Sequence, residues 1–117
     1  MSSAAEVSAT KTNNWLPICP ISELVPFIGV RALLGKEQVA IFSVNDQLHA
    51  ISAIDPFTKM AVLSRGIVGD LRGQVVVASP IYKQHFNLKT GQCLEDEDVT
   101  VKVYSVRDNG GMIELSN

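Results

Sequence analysis

The sequence predicts an all-β domain: an antiparallel β-sandwich or small barrel with an inserted loop subdomain. From Trp15 onward, short runs of β-branched and aromatic residues alternate with turn residues, as antiparallel sheets require. The middle of the chain, residues 53–72, has no period, because proline and glycine interrupt it. A chain of 117 residues, of which 46% are hydrophobic, can bury one substantial core.

The first fourteen residues are predicted to form a flexible tail. Residues 1–14 are rich in Ser, Ala, Thr, Asn and Lys, and they bury too little apolar surface to offset the entropy of ordering. The folded domain is therefore expected to cover residues 15–117, with the inserted loop subdomain at about residues 53–94.

Within this domain, turn sequences separate the predicted strands. Asn45-Asp46 and Lys89-Thr90-Gly91 are typical of hairpin turns. The branched run Val75-Val76-Val77 favours a strand that is covered on both faces. In chain order, the predicted strands are residues 15–19, 30–34, 39–44, 47–52, 74–78, 83–88, 92–94, 101–107 and 112–116, with one helical turn near residues 22–24.

Composition excludes several functions. The net charge of -2 leaves no basic excess for a phosphate backbone, so nucleic-acid binding is not expected. No apolar run reaches the roughly 20 residues that span a bilayer, so no membrane partner is expected. Because the first residues lack the basic and apolar segments of an export signal, we expect a cytoplasmic protein with Cys19 and Cys93 as reduced thiols.

The order of several short phrases resembles the Rieske-type ferredoxin fold. Residues 48–51 lead into the first loop, residues 63–66 follow it, residues 77–80 lie at the second loop, and residues 86–93 contain the strand and Thr-Gly turn beyond it. The resemblance covers nearly the whole chain after the tail. It implies a β-sandwich with a subdomain of two loops that, in that family, binds a [2Fe–2S] cluster.

The ligands that this family uses are absent. A Rieske centre needs two thiolates and two imidazoles, which the family supplies as Cys-x-His and Cys-x-x-His. The corresponding places hold Asp55, Phe57, Ser79 and Tyr82. None of these side chains supplies a thiolate or an imidazole, so we expect no cofactor and no metal in this chain.

A closer resemblance narrows the function. Residues 32–35, 37–42, 54–57, 62–66 and 78–80 are similar to the small subunits of bacterial NAD(P)H-dependent nitrite reductases. The resemblance implies a large catalytic subunit that carries FAD, siroheme and an iron–sulfur cluster and reduces nitrite to ammonium. We expect a non-catalytic accessory subunit that docks on it. The alternatives are an electron-transfer ferredoxin with unconventional ligands, and a stand-alone enzyme or binder that uses the vacated loops as a pocket.

The two loops carry apolar and aromatic side chains where a cluster would need polar ligands. These side chains either fill the vacated centre or remain exposed as a docking patch. We expect a mixture, with Phe57 directed inward and Tyr82 nearer the surface. The predicted interface residues are Phe57, Met60, Arg65, Ile81, Tyr82 and Lys83.

For Asp55, Tyr82 and Ser79, structural roles are preferred to catalytic ones. Asp55 and Tyr82 could form an acid–base pair, but a turn cap at Asp55 and a space-filling Tyr82 are preferred. Ser79 has no recognisable catalytic partners, and we expect it to satisfy loop backbone groups.

Two further sets of residues also leave a functional alternative open. The side chains of Cys19, His49, His85 and Cys93 are zinc-ligand types, but their spacing lacks the close pairs of such sites. Packing roles are preferred for all four. The acidic run at residues 95–98 is expected to be a solvated loop that protects a sheet edge, with contact to a basic patch on a partner as the alternative.

Overall fold

The computed structural model describes residues 15–117. Nearly all of its regular structure is β-strand, joined by turns and two short 3-10 helices at Ile21–Glu23 and Leu63–Arg65. The strands, in chain order, are β1 (Leu16–Pro20), β2 (Val30–Leu34), β3 (Glu37–Val44), β4 (Gln47–Ser52), β5 (Ile67–Leu71), β6 (Gln74–Ala78), β7 (His85–Asn87), β8 (Ser105–Asn109) and β9 (Met112–Ser116).

These strands form three antiparallel sheets of three strands each. Their orders are β1-β9-β8, β2-β3-β4 and β5-β6-β7. The hairpin between β3 and β4 closes through Asn45 and Asp46, whose φ angles of 51° and 64° are both left-handed. Such a two-residue turn matches the twist of the flanking strands, so the predicted turn is confirmed.

Strand β3 lies between two hydrophobic clusters. Its odd-numbered residues Val39 and Ile41 belong to one cluster, together with Ile113 and Leu115 of β9. Its even-numbered residues Ala40, Phe42 and Val44 belong to the other cluster, which extends beneath the loop subdomain. Because side chains alternate along a strand, one strand supplies both cores. The second cluster also contains Leu63, Val77, Phe86, Leu88 and Cys93.

The loop subdomain contains a strand that the sequence did not predict. Strand β5 pairs with β6 from Ile67↔Ala78 to Leu71↔Gln74. Ile67 is 71% exposed and Gly69 lies in the middle, so the strand has neither alternation nor a continuous apolar run. Pairing with β6 holds it in place. In β6 itself, Val76 and Val77 are buried but Val75 is only half-buried.

Three other predicted elements have different bounds. The strand expected at residues 83–88 is reduced to β7, because Lys83 has a left-handed φ of 67°. Residues 92–94 make only isolated bridges, Phe86↔Cys93 and Gln92↔Thr100. Residues 101–104 do not extend β8 but bond across to β4, with Tyr104 N donating to the Ala50 carbonyl at 2.9 Å.

Three remaining predictions concern the helical turn, the N-terminal tail and membrane crossing. The helical turn expected near residues 22–24 occurs as the 3-10 turn at Ile21–Glu23. The predicted tail, residues 1–14, falls outside the described residues. In residues 15–117, the helical segments are too short and insufficiently apolar to cross a bilayer.

Candidate functional site

Two segments of the loop subdomain have the same backbone hydrogen bonds. We name residues 55–60 the first loop and residues 79–84 the second loop. The first residue of each loop donates its N–H to the carbonyl of the sixth, at 2.8 Å from Asp55 to Met60 and 2.9 Å from Ser79 to Gln84. The N–H of the fifth residue returns to the carbonyl of the first, at 2.7 Å for Lys59 and 3.1 Å for Lys83. Each segment is therefore a closed turn of the same design.

The equivalence extends to side chains. Asp55 Oδ1 accepts the Phe57 N–H at 2.8 Å, and Ser79 Oγ accepts the Ile81 N–H at 3.4 Å. Proline occupies the second position of both loops and fixes φ there. Lysine occupies the fifth position of both, with φ of 64° in the first loop and 67° in the second.

The two loops are joined through their first residues. The Ser79 hydroxyl donates to Asp55 Oδ2 at 2.5 Å, and both side chains are fully buried. A hydrogen bond from a hydroxyl to a carboxylate is short and stronger than a neutral one. We call this contact the clasp. It joins the two positions at which a Rieske protein would place the thiolates of one iron.

The aromatic residues of the two loops differ in exposure. Phe57 is half-buried and packs against Phe86, with ring centroids 6.3 Å apart at 41°. Tyr82 is 62% exposed, and Ile81 and Met60 are exposed as well. The expected inward Phe57 and outward Tyr82 are confirmed, but the prediction that Tyr82 fills vacated space was wrong. The clasp is fully buried, Phe57 is half-buried, and residues 80–83 of the second loop are exposed.

A [2Fe–2S] cluster does not fit these residues. The oxygen atoms at two ligand positions bond to each other, the Phe57 ring packs on Phe86, and Tyr82 is directed outward. None of the four is a thiolate or an imidazole. The same geometry gives no support to a ferredoxin with unconventional ligands. In residues 15–117, no three His, Cys, Asp or Glu side chains are grouped as metal ligands.

Comparison with known proteins identifies the family. A family model described as a Rieske-like [2Fe-2S] domain matches residues 14–116. The nitrite reductase (NADH) small subunit of Escherichia coli K12 is 49% identical over 105 residues, which are 88% of this chain and 97% of that protein. The chain belongs to the nitrite reductase small-subunit family.

Two further relatives extend this assignment. The crystal structure of a putative NADH-dependent nitrite reductase small subunit from Mycobacterium tuberculosis is 43% identical, with a TM-score of 0.87 over 92% of this chain and 97% of that one. A nitrite reductase [NAD(P)H] large subunit of Klebsiella oxytoca is 32% identical over 109 residues, which are 93% of this chain and 11% of that protein. The family and fold inferred from the sequence are confirmed, and relatives are named as subunits of an oxidoreductase.

In this member of the small-subunit family, the two cysteines pack in different hydrophobic clusters, and Cys93 and His85 both contact Glu95. Cys19 packs against the cluster of Val39 and Ile41, whereas Cys93 is buried in the cluster beneath the loops. Burial raises the pKa of both thiols. His49 is buried on β4, and His85 Nδ1 lies 2.7 Å from Glu95 Oε2. The structure does not bring these four residues together as a metal site.

The acidic run at residues 95–98 is an ordered loop folded around one amide. Gln92 Nε2 lies 3.0–3.2 Å from the carbonyls of Cys93, Asp96, Glu97 and Val99. Glu95 Oε1 accepts the His85 backbone N–H at 2.7 Å, and Glu95 Oε2 lies 2.7 Å from His85 Nδ1. Burial alone would raise the pKa of the Glu95 carboxyl, but the His85 contacts lower it on balance. The sequence did not predict this role of Gln92.

Within residues 15–117, the geometry of Asp55 and Tyr82 does not match an acid–base pair. Asp55 is buried against Ser79, whereas Tyr82 is exposed, so the two are not positioned as an acid–base pair. Two clefts, of about 340 and 390 Å³, lie away from the loops. One is lined by residues around His49 and Tyr104, and the other by residues around Leu34 and Asn117.

One exposed apolar segment was not predicted from the sequence. Val25, Phe27 and Ile28 are 55%, 49% and 59% exposed, and Phe27 has a left-handed φ of 69°. The segment lies against the 3-10 turn after the first loop, because a Cβ on Gly29 would be 2.2 Å from the Ser64 carbonyl oxygen. The available signal was an apolar run around Pro26, outside any predicted strand.

Proposed function

We propose that this chain is a non-catalytic accessory subunit of the cytoplasmic NAD(P)H-dependent nitrite reductase, and that it docks on the large catalytic subunit. The observation that carries the proposal is the clasp. Asp55 and Ser79 close the loops on each other, so the chain retains a cluster-binding scaffold without its donor atoms. The redox chemistry that reduces nitrite to ammonium would then reside in the FAD, siroheme and iron–sulfur cluster of the large subunit.

The Klebsiella relative supports the choice of partner. In that protein, a segment resembling almost the whole of this chain is part of a large-subunit polypeptide. A domain that is covalently attached in one protein and separate in another is expected to occupy the same place in both. The separate chain then needs a surface that replaces the covalent link.

Exposed side chains of the two loops and of the 3-10 turn at Leu63–Arg65 would provide such a surface. We name it the tip surface and define it as Met60, Arg65, Ile81, Tyr82 and Lys83. Met60, Ile81 and Tyr82 are 53%, 40% and 62% exposed, and Arg65 and Lys83 are exposed cations. An apolar and aromatic centre with a charged rim is the usual composition of a docking site. Phe57, the sixth predicted interface residue, supports this surface from below by packing on Phe86.

Docking would act on the large subunit through binding free energy. A partner that binds only the folded, active arrangement of the large subunit stabilises that arrangement by mass action. The chain therefore needs no reacting group of its own. Its internal hydrogen bonds keep the two loops in the docking conformation before contact, which reduces the entropy lost on association.

Association with the cognate large subunit tests the proposal. The purified chain should be colourless and should form a complex with the large subunit in sedimentation velocity. It should also increase nitrite-dependent NAD(P)H oxidation when the two are mixed. Absence of a complex, together with an unchanged rate and unchanged stability of the large subunit, would overturn the proposal.

A further inference from the structure

The loop subdomain carries positive charge in an acidic chain. Residues 56–84 contain four cationic side chains and one carboxylate, Asp70, although the whole chain has a net charge of -2. The ion pairs found within residues 15–117 join His85 to Glu95, Lys102 to Glu37 and Arg107 to Glu114. None of them uses a cation of this segment. The four cations are Lys59, Arg65, Arg72 and Lys83.

Two of these cations occupy equivalent positions in the paired loops. Lys59 and Lys83 are each the fifth residue of a loop, and the backbone N–H of each donates to the carbonyl of a clasp residue, at 2.7 and 3.1 Å. Because the clasp joins those two residues directly, both lysine backbones lie next to it, at the same end of the domain. Both side chains are exposed. The apolar side chains of the tip surface, Met60 and Ile81-Tyr82, neighbour them in sequence.

The conformation of these lysines is also unusual. Both have φ in the left-handed region, which glycine and asparagine adopt more readily than lysine. A glycine at either position would make the same turn with less strain. The backbone alone therefore does not explain why lysine stands at both places, whereas a requirement for two exposed positive charges does.

We infer that Lys59 and Lys83 form a twin cationic contact that binds carboxylates of an acidic patch on the large nitrite reductase subunit. This inference rests on the proposed function and names the chemistry of the partner surface. Charge complementarity is the reason for choosing an acidic protein surface: the cations lack intramolecular partners in the described residues, and they flank exposed apolar anchors. The two ammonium groups would fix the orientation of docking and accelerate encounter.

Arg72 provides a matched control. It is also an exposed cation, with a left-handed φ of 56°. It lies in the turn between β5 and β6, whose strands pair from Ile67↔Ala78 to Leu71↔Gln74. Ala78 precedes the second loop, so Arg72 lies at the far end of this hairpin, about 13 Å from the loop end at 3.3 Å per residue.

The test compares the Lys59→Gly/Lys83→Gly double variant with Arg72→Gly, using the full chain and its cognate large subunit. We expect the double variant to melt at the same temperature as the unsubstituted chain or higher, because glycine relieves the left-handed strain. Its Kd for the large subunit should rise about tenfold at low salt, as expected for two exposed charge pairs. The difference should shrink in 0.5 M NaCl, and Arg72→Gly should bind like the unsubstituted chain.

The outcomes separate the two proposals. Binding by the double variant that equals binding by Arg72→Gly at low salt would overturn the twin cationic contact and leave the accessory function standing. An equal loss at low and high salt would also overturn it, since the lysines would then act through packing. Failure of the unsubstituted chain to bind the large subunit at any salt concentration would overturn both.

Discussion

Ser79 Oγ lies 2.5 Å from Oδ2 of Asp55, 24 residues away in the chain, and neither side chain is exposed to solvent. The other carboxylate oxygen of Asp55 accepts the Phe57 N–H. Both oxygens of a fully buried carboxylate are thus satisfied, as burial of a polar group requires. The same contact fixes the distance between the two loops that carry the tip surface.

Removal of the Ser79 hydroxyl should destabilise the domain. In Ser79→Ala, Asp55 Oδ2 loses its donor while remaining buried, and an unsatisfied buried group of this kind costs about 2 to 3 kcal/mol. Urea unfolding of the isolated chain measures this loss. Ser105→Ala on the exposed face of β8 is the control and should change the free energy of unfolding by less than about 0.5 kcal/mol. Equal values for the two variants would show that the clasp does not stabilise the loops.

The equivalence of the two loops predicts a stabilising substitution. Gln84 Oε1 is buried without a hydrogen-bond partner, whereas the equivalent position of the first loop holds Met60. Gln84→Met replaces the amide by an apolar group of similar length, and the free energy of unfolding should rise by about 1 kcal/mol. Gln47→Met at an exposed position is the control. A lower midpoint for Gln84→Met in urea unfolding would contradict this prediction.

Alanine substitutions should separate packing from docking at the two aromatic residues. Phe57→Ala removes the contact with Phe86, and we expect a loss of about 2 to 3 kcal/mol, somewhat below that of a fully buried phenylalanine. Tyr82→Ala should leave the midpoint of unfolding almost unchanged and raise the Kd for the large subunit about tenfold.

Leu33→Ala tests whether this effect on association is specific to the tip surface. Leu33 is 64% exposed on β2, outside the paired loops, and its truncation should leave binding unaltered. A loss of folding stability without weaker binding in Tyr82→Ala would contradict the assignment of Tyr82 to the interface.

The buried His49 should make stability depend on pH. Burial, with the nearby Lys89 ammonium, lowers the pKa of His49 below its usual 6.5, although a hydrogen bond with the Leu88 backbone opposes this. In the window below pH 6.5 the unfolded imidazole therefore binds more protons than the folded one. Its contribution to stability is complete above that pH and is lost as the pH falls towards the folded pKa.

Thermal unfolding at pH 7.5 and 5.5 measures this effect. His49→Gln, which cannot titrate, should show a smaller decrease in melting temperature between these pH values than the unsubstituted chain. A decrease of equal size in the variant would assign the pH dependence to other groups.

Local sequence signals predicted the elements whose structure depends mainly on neighbouring residues in the chain. The turn residues Asn45 and Asp46 predicted the β3–β4 hairpin, because both adopt left-handed φ. The apolar pattern likewise predicted β2, β4 and β9 with the bounds that the structure shows. The pattern did not predict β5, because Gly69 and the exposed Ile67 break the apolar alternation of a strand. This strand is held by pairing with β6, which the local sequence does not show.

The features of the candidate site that could not be predicted depend on contacts between residues far apart in the chain. The resemblance to Rieske-type ferredoxins identified Asp55 and Ser79 as ligand positions without ligands. No local pattern indicates that their side chains form a hydrogen bond across 24 residues. The same holds for Gln92, whose amide contacts carbonyls on both sides of the acidic run. Tyr82 was correctly predicted to lie near the surface, whereas the contact between the Phe57 and Phe86 rings joins residues far apart in the chain and has no local signal.

The claim that this chain acts by surface contact is tested most directly by the rate of nitrite-dependent NAD(P)H oxidation. This chain is first treated with a chelator to remove any iron, and it is then titrated into the untreated large subunit. If the chain acts by surface contact, iron-free chain will raise the rate to the same plateau as untreated chain, and Tyr82→Ala will reach that plateau only at higher concentration. If the rate rises only after iron and sulfide are restored to the chain, the account is wrong.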